Sequence, residues 1–365
     1  AVQRDVTVEC EPAEVVQIGV VTSGGDEQFD SPGAQSFQRL YRRRGNPVGF
    51  ETYQRAVDVE KYRFNHGRCV FAGRMPVFIC AAKIKKLILP SLQEGTSPDL
   101  TAGMQKTNFH THTARCGHAS GEDEQYVRSA IRGGYRVLGF SDHVPVPDFP
   151  NGYQSGFRMD ADQAGEYVAT LLKLKHAYAE DIDILIGYEA EYYPELFAEQ
   201  LDFLRSFSFD YLLLGQHNIK NEYDSDRSLH TPTADCGLLR EYVDQVIEGL
   251  ETGAFAYVAH PDLIPFVGDD EDYAAEMSRL CVAAREMNIP LECNLLGVRD
   301  HRNYPDRRFW RVAAAEGCTA ILGCDAHGVS GILDTDGPKR ARRFLRGCGM
   351  KNFTEDIRLS NDRQD

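Results

Sequence analysis

Long apolar runs are missing: nothing in the 365 residues approaches the roughly 18 uncharged apolar residues that a spanning helix needs. Runs such as Tyr211 to Leu214 have strand length, so no membrane partner is expected. The opening residues AVQRDVTVEC carry charge where a secretory signal has its apolar core, which predicts a cytoplasmic location. Cysteine is sparse, with 10 residues and no CxxC pair, so neither a disulfide scaffold nor a zinc knuckle is expected. Basic excess is absent too: 40 Lys and Arg face 55 Asp and Glu, for a net charge of -15. Phosphate backbones need clustered cations, so nucleic acid is excluded as an expected partner.

The charge is uneven. Residues 1–103 hold 13 basic and 12 acidic side chains, against 27 and 43 in the remainder. The first segment is irregular, with QFDSPGAQ, the basic run Tyr41 to Arg44, a turn at Gly45-Asn46-Pro47 and a linker-like QEGTSPDLTAG. It is read as an N-terminal extension of unknown fold. Within it, Val15 to Asp26 (VVQIGVVTSGGD) resembles the first strand and phosphate-contacting turn of phosphofructokinases. That likeness covers only about eight residues, short enough to recur by chance, and carries no functional assignment.

From Met104 the rhythm changes to short apolar runs alternating with amphipathic stretches, the order of a parallel β/α fold. Seven strands are expected, at Thr107–His110, Val137–Ser141, Ile182–Tyr188, Tyr211–Gly215, Ala256–Ala259, Pro290–Asn294 and Ala320–Gly323. Helices are expected at Glu122–Ile131, Ala161–Tyr178, Pro194–Phe207, Leu238–Leu250, Tyr273–Met287 and Arg307–Ala315. The predicted barrel spans 104–350, and 351–365 is read as a C-terminal tail.

The chemistry lies at the strand ends. His110, His112, His118, His143, His217, His260 and His327, seven of the 11 histidines, fall at or just after them, as do Glu189 and Asp325. In a parallel barrel such positions converge on one mouth however far apart they are in sequence. The His-x-His pair puts both imidazoles on one side of an extended segment. Imidazole with a few carboxylates suits zinc, iron or manganese better than calcium or magnesium. Nine donors exceed one coordination shell, which implies two or three divalent metals, with a carboxylate such as Glu189 or Asp325 able to bridge neighbours about 3.5–4 Å apart. Cys116 is read as a packed residue or a thiolate ligand, and Asp142 and Asp262 as orienters of imidazoles or turn residues.

The segments NFHTHTARCGHASGEDE, GFSDHVP, IGYEAEYYP, LGQHNIKNEYD, VAHPDL, LECNLLGVR and CDAH resemble, in order, the polymerase-and-histidinol-phosphatase (PHP) superfamily, and within it the monofunctional histidinol-phosphate phosphatases. The resemblance implies an α/β fold, a distorted (β/α)7 TIM-like barrel with a trinuclear site. His110, His112, Glu189 and Asp325 would hold the first metal. Glu189, His217 and His260 would hold the second, and His118, His143 and His327 the third. It also implies a phosphate-gripping Arg299 after strand six, with Arg158 a second candidate and Asn294 beside them at the substrate. The expected reaction is hydrolysis of a phosphate monoester, L-histidinol phosphate, by a hydroxide bridging two metals. Glu189, Asp325 and Arg299 are the residues expected to carry it. Another small phosphorylated metabolite, or a non-catalytic binding module, are the alternatives. The sequence sets no oligomeric state.

Overall fold

A computed structural model describes residues 105–223 and 229–360 and, before them, five short strands. The chain divides into two compact units, Ala1–Pro98 and Asp99–Asp365. In the first, β1 (Val2–Cys10) and β2 (Glu14–Thr22) form an antiparallel hairpin with Val6 opposite Ile18. Also in that unit, β3 (Phe64–Asn65), β4 (Arg68–Val70) and β5 (Pro76–Val77) make a small antiparallel sheet. The strand expected from Val15 is thus part of β2. Its Ser23–Asp26 turn, the basic run, the Gly45-Asn46-Pro47 turn and the linker lie outside the described residues.

In the second unit every neighbouring strand pair is parallel. The strands are β6 (Thr107–Asn108), β7 (Val137–His143), β8 (Asp183–Ala190), β9 (Tyr211–Leu214), β10 (Tyr257–Val258), β11 (Leu291–Asn294), β12 (Thr319–Gly323) and β13 (Asn352–Phe353). Their spatial order is their chain order, as a simple β/α winding requires. The sheet curls until its first and seventh strands meet beyond β6: Thr111 bridges Ala326, and the His112 N–H donates to the Ala326 carbonyl at 3.1 Å.

All seven expected strands are present, and β13 is an eighth. It comes from the segment read as a tail, so that reading is corrected for 351–360. β13 pairs with β12, Ile357 and Leu359 pack on the Phe109, Tyr211 and Tyr257 cluster, and the Ser360 N–H donates to Asp210 O at 2.8 Å. A two-residue strand is too short to show a period of two.

Helices fill the crossovers: α1 (Asp123–Gly133), α2 (Ala164–Ala177), α3 (Phe197–Leu204), α4 (Cys236–Glu251), α5 (Asp270–Glu286), α6 (Leu295–Asp300), α7 (Arg307–Ala315), α8 (Val329–Ile332) and α9 (Gly337–Cys348). Carboxylate caps start several of them. Asp235, Asp269 and Asp306 each accept from a first-turn N–H, and the Glu122/Gln125 capping box opens α1. α3 begins later than expected, so Pro194 sits in a turn before it. α6, α8 and α9 were not expected. α9 buries Ala341, Leu345 and Cys348 on one face, but four arginines and a lysine dominate its composition. No helix among the described residues is long and apolar enough to cross a membrane.

Candidate metal centre

The nine donors expected from the sequence meet at the carboxyl ends of the strands. Glu189, on β8, stands between two groups of imidazoles. Its Oε2 lies 3.5 Å from His110 Nε2, 3.4 Å from His112 Nε2 and 3.2 Å from His143 Nδ1. Its Oε1 lies 2.7 Å from His260 Nε2 and 3.7 Å from His217 Nε2. The carboxylate fits there because the neighbouring Gly215 has no side chain; a Cβ at that position would overlap it.

Asp325 Oδ1 faces the first group, 3.1 Å from His112 Nε2 and 3.5 Å from His110 Nε2. His118, His143 and His327 form a third cluster at the rim, with His118 Nε2 and His327 Nε2 3.0 Å apart. His260 and Asp325 both adopt left-handed backbone, at φ 31° and 45°. Non-glycine residues hold that conformation only where their surroundings over-determine it.

The donors fit a divalent transition metal. Within the protein, His110 Nε2, both ring nitrogens of His112, His143 Nδ1, His260 Nδ1 and Asp325 Oδ1 are buried without a hydrogen-bond partner. Each such atom costs about 1–3 kcal/mol unless something satisfies it, and imidazole lone pairs beside carboxylates are what a cation satisfies. Burial pushes the Glu189 carboxyl up, but the surrounding His110, His217 and His143 imidazoles outweigh it and hold the group well below the usual carboxylate range. Asp325 is held down in the same way, chiefly by His110 and His112 against its burial. Burial, reinforced by charge on His112, pushes His143 well below its ordinary value and His327 down to about 3. Both imidazoles therefore stay neutral with a lone pair available.

Three buried carboxylates face the ring nitrogens from behind. His110 Nδ1 donates to Glu292 Oε1 at 2.8 Å, and His217 Nδ1 donates to Glu191 Oε1 at 2.8 Å. Such hydrogen-bonded partners fix a tautomer and a ring orientation. Asp142 Oδ1 sits 3.4 Å from His112 Nδ1. Asp142 accepts from the Thr113 and His143 N–H groups and faces His112 without a hydrogen bond to it. Asp262 accepts from the Asp306 N–H and Trp310 Nε1, and burial pushes its carboxyl up to about 7. Cys116 is a buried thiol donating to the Thr113 carbonyl at 3.1 Å, within reach of His112 and His327. Glu191 and Glu292 were missed. Their signal was a carboxylate inside or just beyond an apolar strand, at even spacing from a donor or amide: Glu189 with Glu191, Glu292 with Asn294.

The three residues expected at the substrate are engaged inside the protein. Arg158 is buried, with Nη1 on the Val144 carbonyl at 2.7 Å and Nη2 shared by Glu191 and Glu222. Asn294 caps α6 through the Gly297 N–H and donates to Asp325 Oδ2 at 3.1 Å. Arg299 lies on α6 and not in a loop, and its Nη2 donates to the carbonyls of Cys324 and Asp325 at 2.8 and 3.4 Å. An arginine closer to open solvent, Arg302, donates to the Tyr304 hydroxyl at 2.8 Å, and the Tyr304 ring lies 5.8 Å from that of His260.

Residues 108–296 match the PHP domain family. The chain is 32% identical over 250 residues to a probable histidinol-phosphatase of Deinococcus radiodurans, covering 64% of this chain and 91% of that protein. It is 24% identical over 256 residues to the histidinol-phosphatase of Bacillus subtilis, covering 61% and 94%. Its fold matches the crystal structure of the Lactococcus lactis histidinol phosphate phosphatase complexed with zinc, L-histidinol and phosphate. That likeness has a TM-score of 0.55 at 18% identity and covers 69% of this chain and 98% of that one. The chain belongs to the PHP family, and within it to the phosphatases.

Proposed function

We propose that the chain hydrolyses L-histidinol phosphate to L-histidinol and phosphate in histidine biosynthesis, a cytoplasmic reaction on a small phosphorylated metabolite. The observation that carries the reading is Glu189, whose two oxygens face separate groups of imidazoles and so suit a shared ligand of two cations. The names of the relatives at 32% and 24% identity support the substrate.

In this reading His110, His112, Glu189 and Asp325 hold one metal, Glu189, His217 and His260 a second, and His118, His143 and His327 a third. Bound divalent metals supply Lewis acidity toward the phosphoryl oxygens and a water whose pKa falls to about 7. The protein's own part is orientation. Glu292 and Glu191 keep Nδ1 of His110 and His217 occupied, so that Nε2 of each points into the mouth. Arg302, half-exposed and bonded to the Tyr304 hydroxyl whose ring lies near His260, is the group suited to charge on the phosphate, and Arg299 holds the backbone of Asp325.

The test is phosphate release across a panel of small phosphate monoesters, run on purified protein of known metal content. Histidinol phosphate should exceed the others in kcat/KM by at least an order of magnitude. A different preferred ester would transfer the same site to another metabolite, and no release from any of them would leave a binding module.

A further inference from the structure

Glu292 is fully buried on β11, and no ligand set above includes it. Its Oε1 accepts from His110 Nδ1 at 2.8 Å and from the Tyr257 hydroxyl at 3.2 Å. Its Oε2 accepts from the His260 N–H at 3.0 Å and from the Asn294 amide at 2.9 Å. Four donors fill the four lone-pair sites of a carboxylate, so Glu292 keeps no capacity to bind a cation itself. Space for it exists because Gly323 on the adjacent strand has no side chain; a Cβ there would overlap the carboxylate.

The partners come from three strand ends. His110 follows β6, His260 follows β10, and Asn294 passes the contact on to Asp325 Oδ2 beyond β12. We propose that Glu292 is a positioning residue that ties the first and second metal subsites together, so that both depend on it while the rim subsite does not. The inference rests on the metal-centre reading above.

Three effects make the tie. With Nδ1 donating to Glu292, the lone pair of His110 is on Nε2, which faces Glu189 and Asp325. The bond to the His260 N–H holds that residue's backbone in its left-handed conformation, which aims the imidazole at Glu189. The Asn294 amide, shared between Glu292 and Asp325, fixes the second carboxylate of the first subsite. None of His118, His143 and His327 donates to Glu292.

Glu292→Gln keeps the shape but turns an NH2 toward groups that are themselves donors. The experiment is equilibrium dialysis of the full chain against buffered zinc alone, comparing wild type, Glu292→Gln and Asn294→Ala. Partners of this kind alter metal affinity by about 10–100-fold. In Glu292→Gln two zinc ions should weaken by at least tenfold while a third keeps its affinity, with an unchanged far-ultraviolet circular dichroism spectrum. Asn294→Ala should weaken one. Overturning results are an unchanged isotherm in Glu292→Gln, or uniform weakening of every site, which marks general structural damage. If Glu292→Gln does not fold, Asn294→Ala decides: a wild-type isotherm there overturns the coupling. Wild-type protein that binds no zinc would remove the metal-centre reading itself, and this inference with it.

Discussion

At the scale of single residues, Glu189 and the two arginines make separable predictions. Glu189→Gln removes the anionic ligand shared by two subsites, so kcat should fall about a hundredfold or more and metal content should drop with it. Elemental analysis beside a phosphate-release assay checks both, and full metal with unchanged kcat would rule out a shared ligand. Arg302→Ala should lower kcat/KM by about 2–3 kcal/mol, the scale of one charge-assisted contact, and leave metal content alone. Arg299→Ala should do the reverse and lose metal first, because its Nη2 supports the Cys324 and Asp325 carbonyls. Steady-state kinetics on metal-quantified samples separates the two, and the opposite pattern would return the phosphate to Arg299. The nine donors were legible because histidine and aspartate just past an apolar run are chemically conspicuous. Glu191, Glu292 and the inward turn of Arg158 were not, because their partners lie in other strands and only the winding of the sheet brings them near.

Among the elements, strands were read more faithfully than helices. A run such as Val137 to Phe140 is buried on both faces and announces itself, whereas α9 carries its burial on five scattered positions amid arginines. Loop ties were invisible. Arg115, in the loop after β6, places Nε and Nη2 on the two carboxylate oxygens of Glu166 at the start of α2, at 2.7 and 3.0 Å, and Nη1 on Asp123 of α1. The Arg115 fork outweighs a small burial effect and holds the Glu166 carboxyl down at about 2, against an ordinary value of 4.5. A depressed carboxylate stabilises the fold above its unfolded pKa and loses that contribution as pH falls through the folded one. Glu166 is well exposed, so the contribution is at most about 1 kcal/mol. Thermal melts should show Glu166→Gln less stable than wild type at pH 6, with the gap closing as pH falls from about 4.5 toward 2. A gap that stays constant with pH would mean the carboxylate charge contributes nothing.

For the molecule as a whole, the metal centre should act as a stabilising ligand. A metal present at a thousand times its Kd adds about 4 kcal/mol to the folded state. Chelation should therefore lower the melting temperature by about 10 °C, and zinc should restore it. Calorimetry with and without chelator reads this directly, and a melt indifferent to chelator would deny the centre any share in stability. The division at Pro98 predicts that a chain starting at Asp99 folds and keeps most of its phosphatase activity. Loss of soluble protein or of turnover would assign the first unit a part in catalysis. The parallel β/α class was legible from alternation and the barrel from the family resemblance, but the eighth strand was not, since two residues carry no pattern.

The seam where Thr111 meets Ala326 also bears on the order of events in folding. It joins the first strand end of the barrel to the last but one, so its contacts have nearly the largest sequence separation the barrel allows. Contacts of that kind form late, because the chain must close a long loop before they contribute. His110 and His112 stand on one side of the seam and Asp325 on the other, so the first metal subsite cannot exist before closure. During synthesis, those two histidines lack this partner until Asp325 has left the ribosome. A cation that binds across the seam then acts as a latch, slowing reopening more than it speeds closure.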